Sequence, residues 1–368
     1  MIGTNTYQVN IGDVSIGAEN PVAIQSMTKT DTRDVASTVA QIRELAESGC
    51  DIIRLAVNDM EAAAAIGEIR REAAGVPLVA DIHFDYRLAL ESIRQGIDKV
   101  RINPGNIGDR SRVMRVAESA KERGVPIRIG VNGGSLERAL LDKHGGVTAA
   151  ALVESAINQA EELNLCGFYD IVVSIKTSDV FLTVEACRLF DEKNTGIPQH
   201  IGVTEAGTPV AGLVKSTIGL YDLLRGGIGD TLRVSLTGNP IDEVAAARTL
   251  LQTLTNDKNN PHIRTGGLSG HDRGIELISC PTCGRCNTDL MGITREIERR
   301  IQKIRTGGHI KVAVMGCAVN GPGEAKSADL GVACGDGTAL LFKRGERLYN
   351  VPERDIIGAL IKELAPLL

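Results

Sequence analysis

Four residues near the C-terminal end have the types and spacing to do chemistry: Cys280 and Cys283 in SCPTCGRC, then Cys317 and Glu324 in MGCAVNGPGE. Two cysteines three apart, with a third 34 residues after the second, can gather three thiolates around one metal centre. Thiolate is the ligand that zinc and iron–sulfur clusters select. A carboxylate carried round by Asn320-Gly321-Pro322-Gly323 offers a fourth ligand of a different, more easily displaced kind. Cys286 supplies a third nearby thiol, so Cys280, Cys283, Cys286 and Cys317 form a rival all-thiolate set with Glu324 a surface acid. Zinc in a closed four-ligand site is the plain structural alternative. Cys50, Cys166, Cys187 and Cys334 have no partner at ligand spacing and read as small buried hydrophobes.

A second group of chemical residues is scattered through the first 240 positions. Arg54, Asp81, Arg101, Asn103, Arg128, Asn132, Lys176, Glu205, Arg233 and Ser235 all stand in or just after short apolar runs. Five of them are cations. Crowding that much like charge in a partly buried place is costly unless an anion is present. Arg suits bidentate phosphate recognition and Lys supplies a point charge, so a ligand with at least two phosphate groups fits the set. The plain alternative is that each Arg pairs with a neighbouring carboxylate. His83 and His200 share these runs; His144, His262, His271 and His309 read as ordinary surface histidines.

The elements that must position these residues alternate regularly. Strand-like runs occur at 23–29, 52–57, 78–84, 99–104, 127–132, 171–178, 200–207 and 231–237, separated by helical patterns such as VASTVAQIRELAESG. Eight such units over roughly 240 residues match the typical ~250 of a parallel (β/α)8 TIM barrel. An open doubly wound sheet is disfavoured because no G-x-G-x-x-G follows the first strand. The reading divides the chain into a barrel over 1–254, a polar linker at 255–262 and a small α+β metal domain over 263–368. In that domain a strand leads into Cys280, a helix lies near 288–305, and KVAVMG leads into Cys317. A hairpin at ALLFKRGERLYNV and a final helix follow. In a parallel barrel the C-terminal strand ends build the active site, which is where the charged set falls.

The chain has 368 residues, with 43% apolar, 24% charged and a net charge of −5. No apolar run nears the ~18 residues of a membrane span, and the N-terminal stretch lacks a signal-peptide pattern; a reducing cytoplasm is expected. Eight cysteines there indicate metal binding or catalysis, not a disulfide framework. An acidic balance with five Tyr, five Phe and no Trp argues against nucleic acid as a partner. GIGDT and TGGLSG read as turns, without the Lys-Ser/Thr ending of a P-loop.

Taken together, SCPTCGR, MGCAVNGPGE, IGVTEAG, ADIHF and VRINPGN resemble the IspG/GcpE family of 4-hydroxy-3-methylbut-2-enyl diphosphate synthases, bacterial two-domain type, over almost the whole chain. The resemblance implies one 4Fe–4S cluster per chain, held by Cys280, Cys283, Cys317 and a displaceable Glu324, with Cys286 outside the ligand set. It implies reductive ring opening of 2-C-methyl-D-erythritol 2,4-cyclodiphosphate in the methylerythritol phosphate route to isoprenoids. Arg54, Arg101, Arg128, Lys176 and Arg233 then hold the diphosphate, helped by Asn103, Asn132 and Ser235. Asp81 and Glu205 are the proton-handling candidates. A flavodoxin or ferredoxin electron donor is implied, as is a homodimer whose active site is shared between chains. The rivals are another barrel enzyme with a structural zinc domain and a non-enzymatic zinc-binding interaction protein. A radical S-adenosylmethionine enzyme is disfavoured, since C-x-x-x-C-x-x-C is absent.

Overall fold

The computed structural model of the chain describes residues 6–103, 107, 109–255, 275–301, 304, 306, 308–317 and 325–368. The chain divides into two units, Met1–Leu268 and Ser269–Leu368. The expected linker at 255–262 lies outside the described residues, apart from Thr255, which ends a helix.

The first unit opens with a small antiparallel hairpin, β1 (Val9–Ile11) and β2 (Val14–Ile16), turned at Gly12. Eight parallel strands follow: β3 (Ala23–Met27), β4 (Ile52–Ala56), β5 (Leu78–Asp81), β6 (Lys99–Ile102), β7 (Ile127–Asn132), β8 (Ile171–Lys176), β9 (His200–Ile201) and β10 (Thr231–Leu232). They form one sheet in the order β8-β7-β6-β5-β4-β3-β10-β9. A parallel bridge between Val173 and Gln199 brings the two ends together, making the (β/α)8 barrel.

Aspartates explain where many of the outer helices start. Asp34, Asp59, Asp85, Asp109 and Asp179 each accept from a backbone N–H of the first helical turn, satisfying donors the helix cannot satisfy itself. Thr148 does the same for the helix Ala149–Leu165. Several helices present an apolar stripe to the outward residues of the strands: Ile53, Leu55, Leu78, Ala80, Ile127, Ile129, Ile171 and Val173 are buried among them. Fully burying each of the Ile, Leu and Val side chains among them stabilises by about 1.5–3 kcal/mol.

The inward face is layered. At its floor, Ala23, Ile52, Val79 and Val172 pack against Val9, Ile11 and Ile16, so the hairpin plugs the N-terminal end. The sequence pattern did not announce this hairpin, because three-residue strands are too short to show a period. Above the floor the inward residues become charged. The runs at 200–207 and 231–237 form strands only at their first two residues. Beyond Ile201 a Cβ at Gly202 would lie 2.6 Å from the Arg233 carbonyl oxygen, so the two chains converge there as loops.

The second unit is α+β. Its sheet runs β11 (Ile275–Ser279), β12 (Ile310–Met315), β13 (Leu330–Cys334), β14 (Thr338–Lys343) and β15 (Glu346–Pro352), the first three parallel and the rest antiparallel. The predicted hairpin is β14–β15, turned at Arg344 and Gly345, both at positive φ. The strand β13 was not anticipated. Helices Leu290–Ile301 and Ile356–Leu364 pack on this sheet through Ile297, Ile301, Ile356 and Leu360. Among the described residues no helix is long and apolar enough to cross a membrane.

Candidate active site

Period-2 alternation decides which strand residues face the barrel axis. Parallel register aligns Asp81 with Arg101 and Arg101 with Arg128, and aligns Asn132 with Lys176. These side chains therefore share the inner face near the C-terminal ends of their strands. Arg101, Arg128 and Lys176 are buried, and Arg54 and Arg233 are half-buried beside them.

Two glycines make room for this packing. A Cβ at Gly130 would stand 2.5 Å from Arg101 Nε, and one at Gly202 would stand 2.9 Å from Lys176 Nζ. A larger residue at either place meets the cation directly.

Carboxylates reach only part of the set. Asp81 accepts from Arg101 Nη1 at 3.3 Å, lies 3.8 Å from Arg54 Nε and bonds the His83 ring at 3.3 Å. Glu243 takes Arg233 at 3.1 Å, together with the Ser26 hydroxyl and the Leu236 N–H. Arg54 otherwise rests on the Met27 sulfur at 3.1 Å. The pairing alternative thus holds for Arg233, and for Arg54 and Arg101 sharing one acid. For Arg128 and Lys176 no ion pair is formed among the described residues. Burial pushes Arg128 and Lys176 well below their ordinary ranges, and repulsion from neighbouring arginines adds to it. Arg54 comes down to about 10 by burial, with Asp81 opposing. A guanidinium does not surrender its proton inside a protein. For Arg128 the unfavourable charge instead favours an anion at the axis.

Asp81 responds in the opposite sense. Burial pushes its carboxyl up, but Arg54, the His83 hydrogen bond, Arg101 and Arg128 outweigh that and hold it far below the usual range. It is a permanently ionised acceptor at neutral pH. Glu205 is different: it is exposed, in the loop after β9, with a left-handed backbone at φ +52°. A non-glycine residue held there is uncommon and marks a place where the loop geometry is imposed. Asn103 is buried and donates to the Ser135 hydroxyl at 3.3 Å; Asn132 and Ser235 are half-buried at the rim.

In the second unit, parallel pairing does the equivalent work. Strands β11 and β12 are neighbours with Ser279 opposite Val314, so Cys280 and Cys317 leave adjacent strand ends. The Gly316 N–H donates to Cys280 Sγ at 3.2 Å. A Cβ at Gly316 would stand 2.8 Å from Cys286 Sγ and 3.3 Å from Cys280 Sγ, so a side chain there would occupy the space where thiols converge. Cys283 is exposed in the same loop. This half-buried, sulfur-rich cradle fits a thiolate-held centre. Among the described residues no three His, Cys, Asp or Glu side chains already stand close enough to hold a metal ion. Glu324 and the Asn320–Gly323 turn lie outside the described residues. Cys334 is buried as expected, yet near Cys286 and Cys280; burial first, then Cys286, Glu353 and Cys280, raise it to about 11.

Sequence reasoning missed three contributors. Lys99 is fully buried on the inner face, two residues before Arg101; the alternation in KVRI could have revealed it. Glu243 comes from a helix, Pro240–Thr255, and its reach into the barrel had no local signal. Gly130 looked like an ordinary strand residue. His200 faces inward and is buried, with Nδ1 2.6 Å from Thr231 Oγ1. His144 and His309 pair with Glu154 and Glu276 on the surface, while His262, His271 and the TGGLSG stretch lie outside the described residues.

Comparison with known proteins agrees with this architecture. The model of the GcpE TIM-barrel domain matches residues 6–248, and that of the GcpE protein C-terminal domain matches 276–366. A 4-hydroxy-3-methylbut-2-en-1-yl diphosphate synthase (flavodoxin) of Ruminiclostridium cellulolyticum is 51% identical, covering 98% of this chain and 97% of its own. The protein of the same name from Caldanaerobacter subterraneus is 52% identical, over 98% and 96%. That of Geobacter sulfurreducens is 50% identical, over 99% and 98%.

The glycine argument makes a direct prediction. Gly130→Ala forces Arg101 aside without removing any charge. Affinity for inorganic pyrophosphate, measured by calorimetry, should fall roughly tenfold, the effect of about one charge-assisted hydrogen bond. Unchanged affinity in a variant of normal thermal stability would show that Arg101 is not poised by Gly130.

Proposed function

This chain belongs to the GcpE family, and from that premise we propose that it catalyses the reductive ring opening of 2-C-methyl-D-erythritol 2,4-cyclodiphosphate to 4-hydroxy-3-methylbut-2-enyl diphosphate. Two electrons and two protons are consumed and one water is released. The observation that carries the reading is the set of five cations turned into the barrel, with two carboxylates to balance them. A cyclic diphosphate supplies two negative charges and several acceptor oxygens at that point. The names of the relatives support a flavodoxin as electron donor, with a ferredoxin the chemical equivalent.

The residues divide the work by their surroundings. Arg128 and Lys176, the least compensated cations, bind phosphate oxygens most directly; Arg54, Arg101 and Arg233 complete the clamp from partly paired positions. Asn103, Asn132 and Ser235 add neutral hydrogen bonds. Asp81, held ionised by its arginines, accepts from a substrate hydroxyl and orients it. Glu205, exposed to solvent at the mouth, is the better placed of the two to carry a proton. Cys280, Cys283, Cys317 and Glu324 would hold a 4Fe–4S cluster. When bound, such a cluster supplies the electrons singly. Because oxygen binds iron less firmly than thiolate does, Glu324 is the ligand suited to release. The working unit is a homodimer that shares its active site between chains.

Replacing Arg128 with Ala should weaken substrate binding roughly tenfold or more, since one charge-assisted hydrogen bond contributes ~1.5–3 kcal/mol. Cluster absorbance should stay intact. Wild-type affinity in that variant would mean the cations are satisfied internally.

The ligand assignment is tested separately, on anaerobically purified protein with iron and sulfide analysis. Wild type should be brown with about four irons per chain. Glu324→Ala should keep a damaged, readily three-iron cluster and lose most turnover. Glu324→Cys should keep the cluster and turn over poorly, and Cys286→Ala should resemble wild type. A silent Glu324→Ala beside a cluster-free Cys286→Ala would make the centre all-thiolate; a colourless protein with one zinc would end the reading.

Mixing a Cys280→Ala chain with an Arg101→Ala chain should restore part of the activity each lacks. Heterodimers that form and remain inactive would place the complete site within one chain.

A further inference from the structure

One level below the clamp, the barrel axis carries polar groups that the proposed reaction does not use. Lys99 shares the inner face with Arg101 but sits two residues nearer the floor. Gln25 lies on the same inner face, two residues after the floor residue Ala23, and His200 enters from β9. Lys99 and His200 are 0% exposed and Gln25 is 1% exposed. Gln25 Nε2 and Oε1, Lys99 Nζ and His200 Nε2 have no hydrogen-bond partner among the described residues. Neither do Arg101 Nε and Arg128 Nε and Nη1 just above. Buried polar atoms are normally satisfied, so this concentration in one place needs an explanation.

Ordered water is the usual remedy, but it is poorly matched here. A water needs acceptors for its own two hydrogens, and of these seven atoms six are nitrogens. When the Thr231 hydroxyl donates to Nδ1, one of the two roles this contact allows, His200 Nε2 carries the ring proton. The charges agree with the hydrogen-bond count. The ionised groups that act most strongly on Lys99 are Arg128 and Arg54, and those that act most strongly on His200 are Lys176, Arg128, Lys99 and Arg54. All are positive.

We propose that Lys99, Gln25 and His200 form a second anion site on the barrel axis, beneath the diphosphate clamp, which holds one small inorganic anion of halide size. Size follows from the walls. The interior of an eight-stranded barrel is filled by side chains, and here the apolar floor of Ala23, Ile52, Val79 and Val172 closes it from below. Burial, with repulsion from Arg128 and Arg54, drives the Lys99 ammonium well below its ordinary range. An adjacent anion opposes both causes and lets the amine stay charged. The anion is a structural counter-charge, separate from the phosphates bound above it.

Crystals of the cluster-loaded protein soaked in sodium bromide, measured at the bromine absorption edge without substrate, test this. An anomalous peak is expected within hydrogen-bond distance of Lys99 Nζ and His200 Nε2. It should vanish in Lys99→Met and weaken in Gln25→Leu, which keeps the charge. In solution, bromide should raise the thermal unfolding midpoint of wild type above its value in gluconate of equal ionic strength, and should not do so in Lys99→Met. A peak confined to Arg101 and Arg128, water alone beneath the clamp, or a peak that survives in Lys99→Met would overturn the proposal. Wild-type crystals decide the matter even if Lys99→Met fails to fold. Loss of this site leaves the diphosphate reading standing, because that reading is judged by substrate affinity and turnover.

Discussion

The barrel is organised around positive charge placed where little water reaches it. Arg54, Lys99, Arg101, Arg128, Lys176 and Arg233 converge on one axis, while among the described residues Asp81 and Glu243 are the carboxylates that meet them. Charges in a low-dielectric interior interact far more strongly than at a surface. Other features of the first unit follow from containing this cost. Gly130 and Gly202 leave space for the side chains. Asp81 is divided among two arginines and a histidine, and Glu243 is brought in from a helix. An apolar hairpin seals the far end, so the cations open only toward the mouth.

On the proposed reading, the same tension readies the cation set for a diphosphate. A scaffold that held these cations with a full complement of carboxylates would be more comfortable and would bind diphosphate weakly. Under-compensation leaves binding energy to be realised when an anion arrives, and the rigid strands keep the donors aimed without reorganisation. Positions near the C-terminal ends of parallel strands suit this, because each strand delivers a side chain to a common axis while the loops beyond remain free to shape the mouth.

The second unit uses parallel strands for a different end. Cysteines far apart in the chain become neighbours because β11 and β12 lie side by side in register. Gly316 then allows two thiols to approach the backbone, and its N–H donates to one of them. Backbone N–H donation to a sulfur is among the ordinary means by which a protein adjusts the electronics of a thiolate-held centre. Cys286, three residues after Cys283, and Cys334, with no partner at ligand spacing, both sit close to the ligand candidates, so proximity alone does not identify the ligands.

The sequence by itself determined much of this protein. The eightfold alternation of short apolar runs and amphipathic stretches defines the barrel, because period and length are local properties. The motif cysteines, and cations such as Arg101 and Lys176, were visible because charged or nucleophilic residues at apolar strand ends stand out against their neighbours. What only the tertiary structure decided depends on pairing between distant segments. Register places Lys99 beneath Arg101 on the inner face and ranks the cations by how well carboxylates compensate them. Closure of the sheet turns His200 into a buried inward group, and the hairpin at 9–16 becomes a plug. The separation of Asp81 from Glu205, one buried and fixed in charge and one exposed, is likewise a matter of surroundings. Burial and neighbouring charge are sums over the folded chain, and no window of sequence contains them.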